Sequence, residues 1–282
     1  MNAEKLKELQ VHAASVRKMA LEAVYSAASG HPGGSLSVAD FLTYLYVSEL
    51  NVKPDDTKNP DRDRFVLSKG HCSPALYGVL AECGFIPKED IKTFRNIDSY
   101  LQGHPDMKYV NGVDMSTGSL GQGISAANGM ALTAKLDGKN YRVYTAIGDG
   151  EIEEGQAWEA AMFAAHYKLD NLTAFLDFNG LQIDGDITEV MNPTPIDKKF
   201  EAFNWHVIKI DAHDFNQIEA AVNEAKATKG KPTLILGTSV KGKGVSFMEN
   251  NAGWHGAAPN KEQYEMAISE LDEYIKNLGG AK

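Results

Sequence analysis

The chain has 282 residues, 43% of them hydrophobic and 23% charged, which is enough apolar material for one large core or two small ones. Its 28 basic against 38 acidic residues leave a net charge of −10, so no basic face dominates and nucleic acid is not an expected partner. No apolar run approaches the roughly 20 residues of a membrane helix. The opening MNAEKLKELQ lacks a signal-peptide core, and Cys72 and Cys83 are too few for a disulfide framework or a cysteine metal site. No membrane partner is expected, and the expected location is a reducing cytoplasm.

Leu6, Leu9, Ala13, Val16, Ala20, Ala23 and Ala27 recur at spacings of three and four and predict an amphipathic helix. The pattern breaks at SGHPGGSLS, where Gly30, Pro32, Gly33 and Gly34 argue against regular structure. Ser37 then reads as an N-cap, with Asp40 at the capping-box position, ahead of the run 41–50. RFVLS (64–68) reads as a strand, and TGSLGQGIS (117–125) as a glycine-rich turn entering a small-residue helix. Strands follow at 141–147, 172–178, 206–210 and 232–240, with helices near 155–167 and 215–227. No internal repeat or low-complexity linker interrupts them. Strands separated by helices predict an α/β fold, a mostly parallel sheet with helices on both faces. Their continuous apolar runs fit burial on both sides.

In such folds ligands bind beyond the carboxyl ends of the strands. The segments there are KGH (69–71), GDG (148–150), NG (179–180), DAHD (211–214) and KGKG (241–244). The glycines around Asp149 permit a tight turn and close approach of a diphosphate to backbone N–H groups, with the carboxylate left for Mg²⁺. Alone, the tripeptide favours a plain turn. Asn179 changes the weighting, because one helix and one strand separate it from Asp149. A right-handed crossover brings the chain back one strand over, about 4.8 Å away. Asn179 and the Leu181 carbonyl then offer two neutral oxygens, although Asn-Gly is also a common turn pair.

Of the eight histidines, His31, His71, His104 and His255 lie in glycine-flanked loops and are candidates for positioning hydroxyls or phosphate. His12 and His166 fall in helical stretches and His206 opens a strand, so these three read as structural; His213 stays open. Lys241 or Lys243 reads equally well as a phosphate contact or as part of a solvated loop. In AIGDGEIEEGQAWEA, Asp149 is the expected ligand, while Glu151 and Glu153 are expected to point away into solvent, gaining about 0.3–1 kcal/mol each from the helix dipole. An alanine at Glu151 is accordingly expected to be nearly silent.

In this order, GHPGGSLS, KGH, QGHP, GSLGQGIS, GDGEIEEGQAWEA and HGA resemble the N-terminal, thiamine diphosphate-binding part of the transketolase family. GDG with an asparagine thirty positions later resembles the motif shared by enzymes of that cofactor. The resemblance spans essentially the whole chain and implies one diphosphate-binding domain over 1–282. It implies that Asp149, Asn179 and the Leu181 carbonyl hold Mg²⁺, with Ca²⁺ or Mn²⁺ as substitutes. Gly150 and His71 would contact the diphosphate with His255 beside it, and Gly118, Ser119 and Leu120 would line the cofactor. His31, His104 and His255 would act on substrate hydroxyls or the two-carbon intermediate. Glu154 would lie at a subunit interface near the cofactor.

The implied reaction moves a two-carbon ketol unit from a ketose phosphate to an aldose phosphate, in carbohydrate metabolism of the pentose phosphate kind. A full transketolase continues into pyrimidine-binding and C-terminal domains. Those domains carry the glutamate that activates the aminopyrimidine and most of the phosphate-binding arginines. The resemblance therefore implies a split enzyme. This chain would be the N-terminal half, and its partner in an α₂β₂ assembly would be a C-terminal transketolase subunit. Ala212 in DAHD, where the family often has glycine, and ENNAGWHG, which lacks a second histidine, put the substrate range in question. An alpha-type subunit of a 2-oxoacid dehydrogenase or a deoxyxylulose-phosphate synthase would share Asp149 and Asn179, but has less need of His31 and His104. A non-catalytic regulatory paralogue would be expected to have lost ligands that this chain keeps.

Overall fold

The computed structural model describes residues 1–279. Helix α1 (Ala3–Ser26) is capped by the Asn2 side chain, which accepts from the Lys5 amide, and it buries Leu9, Ala13, Val16, Ala20 and Ala23. Helix α2 (Pro32–Tyr44) follows almost at once and departs from the expected break. Proline at the first position suits a helix start, since its missing N–H would have no partner there. Gly33 and Gly34 sit inside the buried first turn, where a β-carbon would stand 2.9 Å from the Trp254 carbonyl and 2.8 Å from Cys72 Sγ, respectively. These glycines serve close packing, not chain reversal. Ser37 is therefore mid-helix and caps nothing. Its hydroxyl donates to Asp177, and Asp40 forms a two-pronged pair with Arg17. The helix runs on into a π-turn at Leu45–Glu49.

The remaining elements are β1 (Arg64–Leu67), α3 (Ser73–Glu82), α4 (Gln122–Leu136), β2 (Val143–Gly148), α5 (Gly155–His166), β3 (Leu172–Phe178), α6 (Ile187–Val190), α7 (Ile196–Ala202), β4 (His206–Asp211), α8 (Phe215–Ala227), β5 (Thr233–Thr238) and α9 (Lys261–Asn277). The strands form one sheet in the order β1-β2-β3-β5-β4, every pair parallel. The fold is thus α/β with a parallel sheet, as its alternating pattern predicts. Strand β4 is the exception to continuous burial. It lies at the edge, and Val207, Ile208 and Lys209 are partly or fully exposed.

Alternate residues of β3 feed two cores. Phe175 stacks on Phe41 of α2, ring centroids 4.0 Å apart, on one face. Ala174 and Leu176 point to the other face, among Ala127 and Ala131 of α4 and Ala160 and Ala164 of α5. The alanines let these helices close tightly over the sheet, as interior packing at crystal-like density requires. Gly148 is in register with Asp177, and Asp177 with Gly237. The ends of β2, β3 and β5 are therefore level, and whatever follows them converges on one edge.

Candidate active site

At that edge lies a cleft of about 390 Å³ lined by residues from far apart in the chain, among them His31, His71, His104, Asp149, Asn179 and His255. Gly118, Leu120, Gly150 and Leu181 also line it, together with Lys69 and Lys241. The floor is glycine. A β-carbon on Gly118 would stand 3.0 Å from the His104 ring, and one on Gly150 3.3 Å from the Gln182 side chain.

Asp149, one residue past β2, accepts from the Gly150 amide at 2.9 Å and from the Gly180 amide at 2.7 Å. The second bond crosses from β2 to the turn after β3, so it fixes Asp149 against the Asn179 loop. The Asn179 side-chain oxygen accepts from the Leu181 amide at 3.2 Å. Lys241 Nζ donates to the Leu181 carbonyl at 2.9 Å and to His255 Nδ1 at 3.0 Å. His255 is thereby left with its proton on Nε2. The rings of His31, His71 and His255 form a cluster with centroids 5.1–5.5 Å apart.

Beneath them Lys69 and Asp177 form a buried ion pair. Ser37 and Ser239 also donate to Asp177, and Lys69 donates to the Gly34 carbonyl at 3.1 Å. Asp177 was missed in the sequence, although an acid inside the apolar run LTAFLDF is the signal that could have found it. Lys69 stood in KGH without a role.

The acidic run departs from expectation. Glu151 is only 3% exposed. Its carboxylate accepts from the Ser68 hydroxyl, the Gly121 amide at 2.9 Å and the Gly148 amide at 2.9 Å. The 3₁₀ turn Glu151–Glu153 folds this side chain back under the strand ends, where three donors from separate turns await it. It is a buried staple, not a solvated acid. Glu153 is exposed and bonded to Gln182, and Glu154 is exposed at the start of α5. Neither Glu154 nor Ser119 lines the cleft; Ser119 opens on a neighbouring groove with Met115, Thr117 and Gln122. His213 is structural. It accepts from the Val240 amide at 2.9 Å, so its Nδ1 proton goes to Asp40 at 2.7 Å. Lys241 enters the cleft, whereas Lys243 pairs with Glu249.

Burial is the leading influence on the imidazoles. It holds His31 down at about 4, helped by His71; His71 at about 4, helped by Lys69; and His255 at about 3, helped by Lys241. His104 is lowered too, by burial and then His71. The rings are therefore neutral near pH 7. Burial and the nearby Asp177 charge push Asp149 up to about 6 against its two backbone donors. Lys69 stays charged because Asp177 outweighs the cost of burial. Among the described residues no three His, Cys, Asp or Glu side chains converge as a metal cluster. A cation here would have to draw on one carboxylate, an amide and a carbonyl, a hard-oxygen set suited to a metal that keeps waters and phosphates.

Fold and cleft together define an α/β protein with a lysine-walled, oxygen-donor pocket at the carboxyl edge of a parallel sheet. The chain belongs to the transketolase family: the model of the transketolase thiamine diphosphate binding domain matches residues 9–271. A 6-deoxy-6-sulfo-D-fructose transketolase subunit of Clostridium sp. (strain MSTE9) is 46% identical, over 94% of this chain and 97% of that protein. An apulose-4-phosphate transketolase subunit of Phocaeicola vulgatus is 43% identical over 96% of each. Human transketolase is 41% identical over 97% of this chain but only 44% of its own length. A transketolase variant from Pichia stipitis superposes with TM-score 0.87 at 32% identity, covering 96% of this chain and 44% of that one. The chain thus spans about the whole of the subunit relatives and less than half of the long transketolases.

Two outcomes follow from the site's electrostatics. Glu151→Ala strands the Gly121 and Gly148 amides and the Ser68 hydroxyl, at roughly 1–3 kcal/mol for each group left without a partner. Chemical denaturation should show a loss above about 2 kcal/mol; a change within about 0.5 kcal/mol, as for an ordinary surface site, would restore the solvated reading. The histidines set a pH dependence. The unfolded chain protonates them near 6.5, while the folded chain resists to about 4 at His31 and His71. Stability therefore falls as pH drops through that interval. Asp149, raised to about 6, works in the opposite sense. Melting temperature followed from about pH 7 to about pH 4.5 should decline, and His31→Gln with His71→Gln should flatten the decline. An identical profile in the variant would contradict this.

Proposed function

We propose that this chain is the N-terminal, diphosphate-binding subunit of a two-chain transketolase, dependent on thiamine diphosphate and Mg²⁺. On this reading it moves a two-carbon ketol unit from a ketose phosphate to an aldose phosphate. Its partner is a separate chain carrying the pyrimidine-binding and C-terminal domains, assembled with it as α₂β₂. The observation that carries the reading is the Gly180 amide bond to Asp149. It sets one carboxylate beside Asn179 and the Leu181 carbonyl in a cleft walled by Lys69 and Lys241.

The residues fit such a cofactor. Asp149, Asn179 and the Leu181 carbonyl would hold the metal; Ca²⁺ or Mn²⁺ could stand in, since all three are oxygen donors. The Leu181 carbonyl already accepts from Lys241 and has a second lone pair to share. Gly150 and His71 would meet the diphosphate, and Gly118 and Leu120 would lie along the cofactor, with Ser119 turned to the neighbouring groove. Thiamine diphosphate supplies the carbanion chemistry when bound. The chain's own part is to place it, to neutralise its phosphates and to present neutral imidazoles to the sugar.

His31 lines the cleft, and its Nδ1 is buried without a partner among the described residues. His104 and His255 share the cleft with it. A neutral ring can both donate to and accept from sugar hydroxyls, which suits substrate positioning better than fixed charge. Glu154, exposed in the single chain, is free to face another subunit. The names of the subunit relatives, which span one chain and not two, support the division of labour.

Reconstitution tests the reading. The purified chain should transfer no ketol unit alone, and ketose-phosphate-dependent transfer should appear on titration with its C-terminal partner. Robust transfer without a partner, or turnover of pyruvate in place of the ketose phosphate, would contradict it.

A further inference from the structure

We propose that Arg95 is a positioning residue for sugar binding: it locks at a fixed separation the two loops that carry His31 and His104. The inference rests on the reading of those histidines as substrate contacts. Arg95 does not line the cleft itself. It follows the 3₁₀ turn Lys88–Thr93, and its backbone sits at φ 63°, a left-handed conformation uncommon for arginine. Its amide donates to the Leu101 carbonyl at 2.8 Å, closing the loop that leads to His104. Such a conformation persists only where the surroundings over-determine it.

The side chain touches both loops. Nη1 donates to the Ser29 hydroxyl at 2.7 Å, two residues before His31. The guanidinium lies against Gly103, the residue before His104, so closely that a β-carbon there would stand 2.7 Å from Nε and 2.9 Å from Cζ. The guanidinium also lies over the buried Phe94 ring, 5.4 Å from its centroid. That same ring would be 3.2 Å from a β-carbon on Gly30, the residue before His31. Phe94 and Arg95 therefore form one wedge against the residue preceding each histidine. The nearby side-chain anchors serve one loop each: Tyr77 and Ser73 hold 102–104, and Ser35 holds His31.

Arg95 Nε is buried with no partner among the described residues, so the Nη1 bond to Ser29 and packing on Gly103 and Phe94 hold the guanidinium in place. After burial and His71, its charge also lowers the pKa of both His31 and His104. The wedge thus fixes the span between two sugar-binding rings and adds to the burial that keeps both neutral. A misplacement of about 1 Å in such groups costs on the order of a hundredfold in rate.

The test uses the assembled two-chain enzyme with Arg95→Ala and Arg95→Lys. KM and kcat are measured for a phosphorylated ketose donor and for an unphosphorylated ketose, and thiamine diphosphate affinity is measured by fluorescence titration. Arg95→Ala should raise KM about tenfold or more for both donors, with cofactor affinity unchanged. Arg95→Lys, which keeps the charge but loses the planar fork, should fall between. Hydrogen exchange of the variant should be faster in both the 29–31 and the 102–104 loops, a readout that needs no turnover. An unchanged KM, a loss confined to the phosphorylated donor, a parallel loss of cofactor affinity, or unchanged exchange in either loop would overturn the proposal. Absence of ketol transfer in the unmutated assembly would instead overturn the functional reading, and the exchange measurement would still decide the role of Arg95.

Discussion

The active edge depends on one buried carboxylate. Asp177 is fully enclosed, yet it accepts from Lys69, Ser37 and Ser239. A charge in that position is tolerated only when paired and fully hydrogen-bonded. Meeting that demand draws together the end of β1, the middle of α2 and the end of β5 around the end of β3. Asn179 touches the same carboxylate at 3.4 Å, so the loop after β3 is referred to the same centre. Removing one partner of such a pair typically costs about 3–5 kcal/mol, because the other is left charged and dry. The lysines at the cleft therefore do different work. Lys69 is committed to Asp177, while Lys241 reaches the Leu181 carbonyl and His255 at the cleft wall.

Above this centre the cleft combines Lys69, kept charged by Asp177, and Lys241, whose pKa burial lowers, with imidazoles that stay neutral. Burial of the histidines and their nearness to the lysines keep protons off the rings. On the proposed function, a diphosphate entering such a pocket would meet the lysines at its phosphates and hydrogen-bonding, uncharged groups at the sugar end. The same low-dielectric surroundings strengthen each polar contact made there. Glu151 adds a second staple beneath. It joins the turns at Ser68, Gly121 and Gly148, three of the segments that shape the cleft.

Much of this was legible in the sequence, for a physical reason. Buried parallel strands must be apolar along their length, so β2, β3 and β5 announce themselves, and their ends mark where ligands go. The spacing of Asp149 and Asn179 translates directly into neighbouring strand ends. What was illegible depends on contacts distant in sequence. Glu151 looks like its solvated neighbours, because its three donors come from residues up to 83 positions away. Gly33 and Gly34 look like chain breakers, because Trp254 and Cys72, which press against them, lie far along the chain. Ser37 looks like a cap because Asp177, its true partner, is 140 positions off. Local rules fail at these points, and all of them are close to the cleft, where competing demands are greatest.

The central claim is that Asp149 anchors a divalent cation and, through it, a diphosphate. It is tested most directly by calorimetric titration of the assembled two-chain enzyme with thiamine diphosphate, with and without Mg²⁺, for the unmutated chain and for Asp149→Ala. The account predicts metal-dependent binding that is lost in Asp149→Ala, a weakening on the order of a hundredfold or more, beyond what outer-sphere substitutions cost. Binding that is equally tight without metal, or unchanged by Asp149→Ala, would contradict it.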